Sequence, residues 1–300
     1  MAKLTIIILN FNTKDLTLRA IQSCLALAYK EISVVVVDNA SSDGSVQAFE
    51  ILEKKESRLQ VISLSENNGF AAGNNVALKN ATSDYVMLLN SDAYFPENSD
   101  IETVLNFLDQ SRDIGVLTPF VKLTSGSIDP ACHRGFPTPW RAFTYYAGLE
   151  KIGILKRLFG GYHQTWKDLN VTHEIDACSG AAMIVRTSAM ENIGFLDEQF
   201  FMYGEDLDWC FRFQKLHWKI VFYPTLSVIH DKHTSGLKKE DTSQSPESRS
   251  QRQDDSELIR KRTKNAFYDA MKLFYKKHDM GSAWSEQFVL LGIWIISKLK

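Results

Sequence analysis

The stretch SVVVVDNASSDGS, residues 33–45, joins a run of four valines to a polar turn. A run that is apolar at every position is typical of a strand buried on both faces, as in a parallel sheet covered by helices. Ligands of such sheets bind beyond the carboxyl ends of the strands, and Asp38 directly follows the last valine. The stretch therefore predicts an α/β fold with a binding edge. The alternative is that Asp38 and Asp43 only form the turn and cap the next helix.

The same alternation of apolar runs and helical spacing fills the first 120 residues. Strands are predicted for Leu4–Leu9, Ser33–Val37, Leu59–Leu64, Tyr85–Leu89 and Gly115–Thr118. Helices are predicted for Leu16–Leu25, Val46–Leu52 and Asn98–Leu108. This βαβα order predicts a Rossmann-like, doubly wound sheet whose strands are largely parallel.

The middle of the chain is less regular. From about Val121 onward, prolines and aromatic residues interrupt any periodicity and indicate a mixed region. Regular patterns then return, with predicted strands at Ala181–Arg186, Ile220–Tyr223 and Leu226–Ile229 and a predicted helix at Glu205–Leu216.

The C-terminal part combines a polar stretch with an amphipathic one. Residues 238–255 are rich in Ser, Gln and charge, and they predict a mobile linker. A helix is predicted from Leu258 to His278, with basic residues around an apolar stripe formed by Phe267, Met271, Phe274 and Tyr275. Such a helix either lies on an anionic membrane surface or packs on the preceding domain, and amphipathicity alone does not separate the two.

Composition narrows the class of protein. A net charge of −2 over 300 residues provides no field for holding nucleic acid. Four widely spaced cysteines without a CxxC pair favour a reduced, cytosolic compartment over a disulfide framework. The apolar run Phe288–Ile296 is shorter than the roughly 20 residues of a spanning helix, and the amino terminus lacks signal-peptide features. We therefore expect a cytoplasmic protein that does not cross a membrane and has no nucleic-acid partner.

Two further polar motifs follow predicted strands. The segment ENNGFAAGNN, Glu66–Asn75, offers amide groups and two glycines that permit close backbone approach, but it is not the GxGxxG of a dinucleotide site. The motif NSD, Asn90–Asp92, directly follows the strand that ends at Leu89. Because Mg²⁺ uses one or two protein carboxylates together with phosphate oxygens and waters, Asp92 is sufficient if the substrate brings a diphosphate. A simple turn remains the alternative for both motifs.

Carboxylates and a histidine mark the second half of the chain. In GEDLDWCFR, Gly204–Arg212, the acids fall in the first turn of a predicted helix, where the helix macrodipole stabilises them. Asp206 shares a helix face with Cys210 and Phe213 and should point inward or toward a pocket, and clustered carboxylates favour a base function. His230 follows a predicted strand and serves a metal, a phosphate or only the fold.

Taken in order, eight segments resemble the family 2 glycosyltransferases, in their bacterial rhamnosyltransferase-like branch. The segments are TIIILNFN, VVVVDNASSDGS, NNGFAAGNN, YVMLLNSDA, CSGAAMIVR, FLDEQFF, GEDLDWCFR and IH…TSG. The resemblance runs from about Leu4 to Gly236 and rests on the ordered series rather than on one motif. It implies a GT-A fold, a nucleotide-sugar donor and inversion at the anomeric carbon.

The resemblance also implies roles on the donor side. Phe11 matches an aromatic residue that stacks on the nucleobase, Asp38 matches the acid that reads the base, and Asn74 lies in a segment that lines the nucleotide. The implied nucleotide-sugar-binding set is Phe11, Asp38, Asn74, Ser91 and Asp92. Asp92 matches the last acid of a DxD-type motif and, with His230, implies a site for Mg²⁺ or Mn²⁺. Since Asn90 and Ser91 replace acids found elsewhere in the family, tight metal binding without the donor is not expected.

On the acceptor side, Asp206 matches the catalytic base of the family, and Glu205 beside it is expected to orient the acceptor or the base. The segment His133–Pro139 resembles an Arg/Phe-Pro-Thr stretch of rhamnosyltransferase-like members, with Gly135 as an extra residue.

These implications divide the chain into three parts. Residues 1–236 are the expected GT-A catalytic domain, with a nucleotide-sugar half over about 1–120 and an acceptor half over about 121–236. Residues 237–256 are the mobile linker, and 257–300 are a basic amphipathic helical extension that would recruit the protein to the cytoplasmic face of a membrane.

The expected reaction is transfer of a sugar, with rhamnose as the choice that the family suggests, to a hydroxyl of a glycan or lipid-diphosphate-linked acceptor in cell-surface polysaccharide synthesis. One alternative is a nucleotidyltransferase, but LNFNTKD after the first strand lacks the glycines of its phosphate loop. The other is an inactive nucleotide- or glycan-binding module. The presence of Asp92, Asp206 and His230 disfavours this alternative.

Overall fold

The computed structural model of the chain describes residues 2–232 and 265–278. The strands are β1 Leu4–Asn10, β2 Ile32–Asp38, β3 Leu59–Ser63, β4 Tyr85–Asn90, β5 Ala93–Tyr94, β6 Ile114–Leu123, β7 His173–Glu174, β8 Ala182–Arg186 and β9 Lys219–His230. The helices are α1 Lys14–Leu25, α2 Ser45–Glu53, α3 Gly69–Leu78, α4 Ile101–Gln110, α5 Pro139–Tyr146, α6 Lys156–Phe159, α7 Thr187–Ile193, α8 Glu205–Lys215 and α9 265–278.

One mixed sheet organises these elements. Its strand order is β3-β2-β1-β4-β8-β6-β9-β5, and β7 pairs with β9. The pairs from β3 to β4 are parallel, as the βαβα order predicts, whereas β8 runs antiparallel to both of its neighbours. The prediction of a doubly wound mixed α/β sheet is therefore confirmed, with the parallel half formed by the first 90 residues.

The apolar strand sequences bury both faces of the sheet. Side chains alternate along a strand, so Ile6 and Ile8 pack with Phe49 in one apolar cluster, while Ile7 packs with Trp209 in the other. All of these side chains are buried. Full burial stabilises each large apolar side chain by about 1.5–3 kcal/mol, which fixes the strand register and hence the position of the strand ends.

Several predicted boundaries needed correction. The two short strands predicted at Ile220–Tyr223 and Leu226–Ile229 are one strand, β9. It pairs in parallel with β6, and the register shifts so that Pro119 faces Tyr223 while Phe120 faces Ser227. This bulge accommodates the intervening proline, which cannot donate a ladder hydrogen bond. The strand predicted at Gly115–Thr118 is extended to Leu123 by the same pairing, and the helix predicted from Asn98 begins at Ile101, after the capping carboxylate of Asp100.

The described part of the predicted C-terminal helix, α9, packs on the α/β domain that precedes it. Phe274 is fully buried, and its ring centroid lies 6.0 Å from that of Phe211. At the end of α9, Nζ of Lys277 and Nε2 of His278 lie 2.6 and 2.7 Å from Oδ1 of the buried Asp208. Burial raises the pKa of Asp208, but these bonds outweigh burial and lower it to about 2. The packing alternative therefore holds for residues 265–278, and their apolar stripe is not available to a membrane.

The predicted linker 237–256, the predicted helical residues 258–264 and the run 279–300 lie outside the described residues. Within the described ranges, no helix is both long and apolar enough to span a bilayer. All four cysteines lie within the described residues as buried free thiols.

Candidate active site

Four strand ends meet at one edge of the sheet. The register places Asn10 beside Asp38 and Leu9 beside Asn90, and it pairs Ala93 with His230. The carboxyl ends of β1, β2, β4 and β9 therefore bring their polar residues together, because parallel strands end at the same edge. This is the edge that the sequence predicted.

Asp38 lies at the base of this edge. It is fully buried, and its two oxygens accept hydrogen bonds from Asn10 Nδ2 at 2.6 Å and from the Ser41 amide at 2.8 Å. The hydrogen bonds thus agree with the turn alternative, in which Asp38 holds the loop that follows β2. Phe11, one residue beyond β1, is 46% exposed and presents its ring at the same edge. Ser91 accepts a hydrogen bond from Thr13 Oγ1 at 3.0 Å, which links the ends of β1 and β4.

The glycine- and asparagine-rich segment forms the start of α3. Gly69 has a φ of +81°, and a Cβ there would lie 2.3 Å from the carbonyl oxygen of Phe201. Only glycine permits this approach, which joins α3 to the loop before α8. Asn74 is buried, and its amide donates to the carbonyl oxygen of Phe70 at 2.9 Å. Its side chain is therefore directed into its own helix.

Asp92 belongs to a buried polar cluster with His230 and Asp129. His230 lies between the two carboxylates, with Nε2 3.2 Å from Asp92 Oδ1 and Nδ1 2.9 Å from Asp129 Oδ2. Lys232 Nζ approaches Asp129 Oδ1 to 3.0 Å. Burial lowers the pKa of His230, but the hydrogen bonds to Asp129 and Asp92 outweigh burial and raise it to about 9. The imidazole is therefore cationic at neutral pH, as the partner of two buried carboxylates.

The metal-ligating atoms of this cluster suit a divalent cation that brings further ligands with it. Asp92 offers carboxylate oxygen and His230 offers imidazole nitrogen, ligand types that suit Mg²⁺ or Mn²⁺. His230 must lose its proton before it can ligate, since metal binding requires the deprotonated ligand. Among the residues that the structure describes, no group of three or more His, Cys, Asp or Glu side chains is arranged to hold a metal. Two protein ligands leave most positions to substrate oxygens and water.

Asp206 forms a second polar centre at the start of α8. Gly204 has a φ of +84° and begins the helix, and Asp206 is 9% exposed, pointing inward as its helical position predicted. Arg134 Nη2 donates to Asp206 Oδ2 at 2.7 Å, while the Leu207 amide donates to Oδ1 at 2.7 Å. The carboxylate that the sequence singled out thus has a permanent cation beside it.

Glu205 lies beside Asp206 in a different electrostatic environment. Its burial, and then the negative charge of Asp206, raise the pKa of Glu205 to about 8, so its carboxyl is mostly protonated at neutral pH. Within the described residues, Glu205 Oε2 and Arg134 Nε are buried without a hydrogen-bond partner. Such groups are costly unless a ligand satisfies them, which favours a substrate-binding role for this centre.

One short stretch of chain joins the two centres. Asp129 holds His230, and Arg134, five residues further on, holds Asp206. Five residues span at most about 18 Å, which limits the distance between the backbones of Asp129 and Arg134. Between them, Cys132 Sγ lies 3.0 Å from Ser179 Oγ, and the carbonyl of Ala181 accepts from the Asn90 amide at 3.0 Å. The centres therefore belong to one continuous region.

Asp129 and Arg134 were missed as site residues by the sequence analysis. Asp129 lies in SIDPACH, where its position before Pro130 indicates only a capped turn. Arg134 belongs to the His133–Pro139 segment, which was noted for its resemblance but given no role. Neither residue follows a predicted strand, so the rule that placed the other residues could not find them.

A separate cleft of about 530 Å³ is lined by Asp109, Arg112, Arg186, Ser188 and Trp218. Arg186 ends β8 at the amino-terminal edge of the parallel strands. Its guanidinium donates to the carbonyls of Leu108 and Ile114. We assign Arg186 a structural role in holding these elements together.

Comparison with known proteins agrees with the sequence resemblance. The profile described as glycosyl transferase family 2 matches residues 5–188. The N-acetylglucosaminyl-diphospho-decaprenol L-rhamnosyltransferase of Mycobacterium tuberculosis is 26% identical over 219 residues, which make up 69% of this chain and 69% of that protein.

Two solved structures have a similar fold. The mannosyltransferase PcManGT from Pyrobaculum calidifontis, in complex with GDP-Man and Mn²⁺, gives a TM-score of 0.55 at 17% identity and covers 78% of this chain. TarS 1–349 of S. aureus, in complex with UDP-GlcNAc, gives a TM-score of 0.56 at 20% identity and covers 91% of it. The matches span 59% and 65% of those two chains, respectively. The likeness shows a shared GT-A fold.

Proposed function

This chain belongs to glycosyl transferase family 2, and on that premise we propose an inverting, metal-dependent transfer of a sugar from a nucleotide diphosphate to an acceptor hydroxyl. That the protein is a glycosyltransferase follows from the family, which decides against the nucleotidyltransferase alternative. The inversion, the metal, the donor and the acceptor are the proposal. Rhamnose is the proposed sugar, because the Mycobacterium tuberculosis relative is an L-rhamnosyltransferase.

One observation carries the proposal. The stretch Asp129–Arg134 contacts both centres. Asp129 pairs with His230, which pairs with Asp92, and Arg134 pairs directly with Asp206. Two carboxylates with different cationic partners are therefore linked in one region. Direct displacement with inversion needs such a division. One group must stabilise the charge on the leaving diphosphate, and another must deprotonate the hydroxyl that attacks from the opposite face of the sugar.

Asp206 is the proposed general base. Arg134 and the Leu207 amide fix its two oxygens, so it is oriented before the acceptor arrives. It accepts the proton of the acceptor hydroxyl as the oxygen bonds to the anomeric carbon and the bond to the diphosphate breaks. Glu205, mostly protonated at neutral pH, can donate a hydrogen bond to an acceptor hydroxyl and is proposed to orient it.

Asp92 and His230 are the proposed ligands for Mg²⁺ or Mn²⁺ on the donor side. The cation would neutralise charge on the leaving nucleoside diphosphate. The solved PcManGT complex contains both GDP-Man and Mn²⁺, which supports this assignment. Before the donor arrives, the protonated His230 occupies the position between Asp92 and Asp129 and keeps both carboxylates compensated.

The remaining donor contacts are proposed from their positions at the sheet edge. Phe11 offers an exposed ring for stacking on the base. Asp38, bonded to Asn10 and Ser41, has remaining lone pairs for a base or ribose, and Ser91 lies beside Asp92. Asn74 acts from inside α3, where it holds the backbone of the segment that lines the nucleotide.

The proposed acceptor is a glycan on a lipid diphosphate, used in cell-surface polysaccharide synthesis. The name of the Mycobacterium tuberculosis relative specifies an N-acetylglucosaminyl-diphospho-decaprenol acceptor. We propose that residues 1–120 contribute most donor contacts and residues 121–236 most acceptor contacts, and that the protein works at the cytoplasmic face of a membrane.

The test is a thermal-shift screen of nucleotide sugars with and without Mg²⁺ or Mn²⁺. A bound donor stabilises the folded protein by mass action, by about 2.7 kcal/mol at a hundredfold excess over Kd. This stabilisation raises the melting temperature. We expect one base and sugar to stabilise the protein in the presence of metal, and much less in its absence. A screen in which no nucleotide sugar shifts the melting temperature would reject the proposal.

A further inference from the structure

A segment next to the acceptor-side centre exposes an unusual number of large apolar side chains. We name it the 140–158 patch. Its exposed apolar members are Trp140, Phe143, Ile152, Ile154, Leu155 and Leu158. Ile154 is 95% exposed, and Phe143 and Leu158 are more than half exposed. Single exposed apolar residues are ordinary, but a contiguous group of this kind marks an interaction surface.

The patch is contiguous because α5 and α6 contact each other. The Trp140 ring lies 5.9 Å from that of Phe143 and 6.0 Å from that of Phe159, and its Nε1 donates to the carbonyl of Leu158 at 3.0 Å. These contacts bring side chains from both helices to one surface. Ile154 and Leu155 lie on the short turn that directly precedes α6.

Basic residues flank the apolar side chains. Lys151, Lys156 and Arg157 are exposed, and within the described residues none of them forms an ion pair. Glu150 is the one acidic residue of the segment, and its carboxylate is bonded to His163 Nδ1 at 3.0 Å. Apolar and aromatic side chains beside unpaired lysine and arginine are the composition of surfaces that bind anionic bilayers.

The patch is tied to the acceptor-side centre by short connections. Only four residues separate Arg134, which holds Asp206, from the start of α5 at Pro139. The other end of the segment returns to the same place, where the Tyr162 carbonyl accepts from the Gly135 amide at 2.7 Å. Both ends of the patch are therefore anchored near Arg134, which holds the Asp206 carboxylate.

We infer that the 140–158 patch docks the protein on an anionic phospholipid bilayer. Its apolar side chains enter the interface while Lys151, Lys156 and Arg157 contact the headgroups. The inference rests on the proposed function for its purpose, which is to bring Asp206 to a lipid-linked acceptor. It also relocates the membrane contact from the C-terminal helix, whose described stripe is buried against Phe136 and Phe211.

The test compares two triple variants of the full chain. Phe143→Gln/Ile154→Gln/Leu158→Gln removes patch side chains. The control Ile51→Gln/Val171→Gln/Leu216→Gln removes apolar side chains elsewhere that are also more than half exposed, at 56%, 56% and 53%. Partitioning is measured by cosedimentation with vesicles of phosphatidylcholine containing about 30 mol% phosphatidylglycerol. We expect the patch variant to lose at least about tenfold in partition coefficient, and the control variant to match the unsubstituted protein.

Charge and folding are tested in the same assay. Replacing Lys151, Lys156 or Arg157 by serine should reduce partitioning about fivefold for each charge removed. Ile154→Gln alone serves if the triple variant does not fold, because this almost fully exposed side chain contributes little to packing. Equal partitioning of patch variant and unsubstituted protein overturns the inference. The inference is also overturned if the unsubstituted protein does not partition to the vesicles. In that case, light scattering that shows self-association of the unsubstituted protein but not of the patch variant would identify the patch as a contact between copies of the chain.

Failure of the inference and failure of the proposed function are distinguishable. The patch variant should keep normal transfer to a short-chain, water-soluble acceptor and lose transfer to an acceptor embedded in vesicles. Equal transfer by both proteins to the embedded acceptor overturns the docking inference and leaves the proposed function intact. Absence of transfer in every protein rejects the proposed function, while vesicle partitioning still reports on the patch.

Discussion

The two carboxylates of the candidate site, Asp92 just after β4 and Asp206 at the start of α8, differ in the cation that accompanies them. Asp92 is compensated by His230, which can release its proton, whereas Asp206 is compensated by Arg134, which cannot. On the proposed donor side, the positive charge of His230 would be exchanged for a metal that arrives with the diphosphate. In the proposed acceptor-side centre, the positive charge of Arg134 is permanent, and its guanidinium holds the Asp206 carboxylate in one orientation. Under the proposed function, this difference prepares the two aspartates for different tasks.

The largest effect is expected from Asp206→Asn. The amide keeps the shape of the side chain but cannot accept a proton, and general base catalysis contributes about 10²–10⁴ in rate. We expect turnover to fall by at least about a hundredfold while the donor Kd changes little. Steady-state rates with calorimetric donor titration measure both quantities. Turnover near that of the unsubstituted enzyme would end the assignment of Asp206 as the base.

Asp92→Asn should show the opposite pattern. Loss of one of two proposed protein ligands should weaken metal-linked donor binding by about 10–100-fold. Titration of the donor with and without Mn²⁺ measures the metal-linked part, and Mn²⁺ alone should bind weakly to both proteins. Ser99→Ala, which removes a partly buried loop hydroxyl that donates to the Pro96 carbonyl, is a control outside the site. Equal metal dependence in Asp92→Asn and the control would contradict the donor-side role.

Glu205→Gln tests where the proton resides in the acceptor-side centre. The pKa of Glu205 is raised from 4.5 to about 8, so the folded state holds a proton that the unfolded state releases. Its contribution to stability is fully present below pH 4.5 and is lost as pH rises to 8, by up to about 1.4 kcal/mol per pH unit. Glutamine removes this loss. Denaturant unfolding at pH 5 and pH 8.5 should show the variant gaining relative stability at the higher pH, and parallel pH profiles would refute the prediction.

The smallest effect is expected from Phe11→Ala on the donor side. Loss of a stacking contact costs about 1 kcal/mol, or about fivefold in donor Kd. The change should raise the donor Kd without altering kcat, because stacking is the same in ground and transition states. An unchanged Kd would show that the base lies elsewhere.

The donor side could be predicted from the sequence much more fully than the acceptor side. Asp38 and Asp92 follow all-apolar strands, and burial of those strands on both faces fixes where they end. The inward position of Asp206 could be predicted because helical spacing places it on the same face as Cys210, which is buried. Arg134 and Asp129 come from an irregular region, where no periodicity tells which side chain turns inward.

The C-terminal helix illustrates a further limit of sequence patterns. Its periodicity gave the apolar stripe correctly, but a stripe does not identify what covers it. The answer lies in long-range contacts of Phe274 with Phe136 and of His278 with Asp208. The continuity of β9 was missed for a similar reason, since only its pairing with β6 carries the strand past Pro224.

The most direct test of the two-carboxylate account is a crystal structure with Mn²⁺ and a non-hydrolysable nucleotide-sugar analogue. Anomalous scattering locates the metal independently of the protein atoms. The account predicts a Mn²⁺ peak at bonding distance from Asp92, with diphosphate oxygens completing its coordination and the Asp206 carboxylate facing the opposite side of the anomeric carbon. A metal bound away from Asp92, or an anomeric carbon that Asp206 cannot reach through an acceptor hydroxyl, would contradict it.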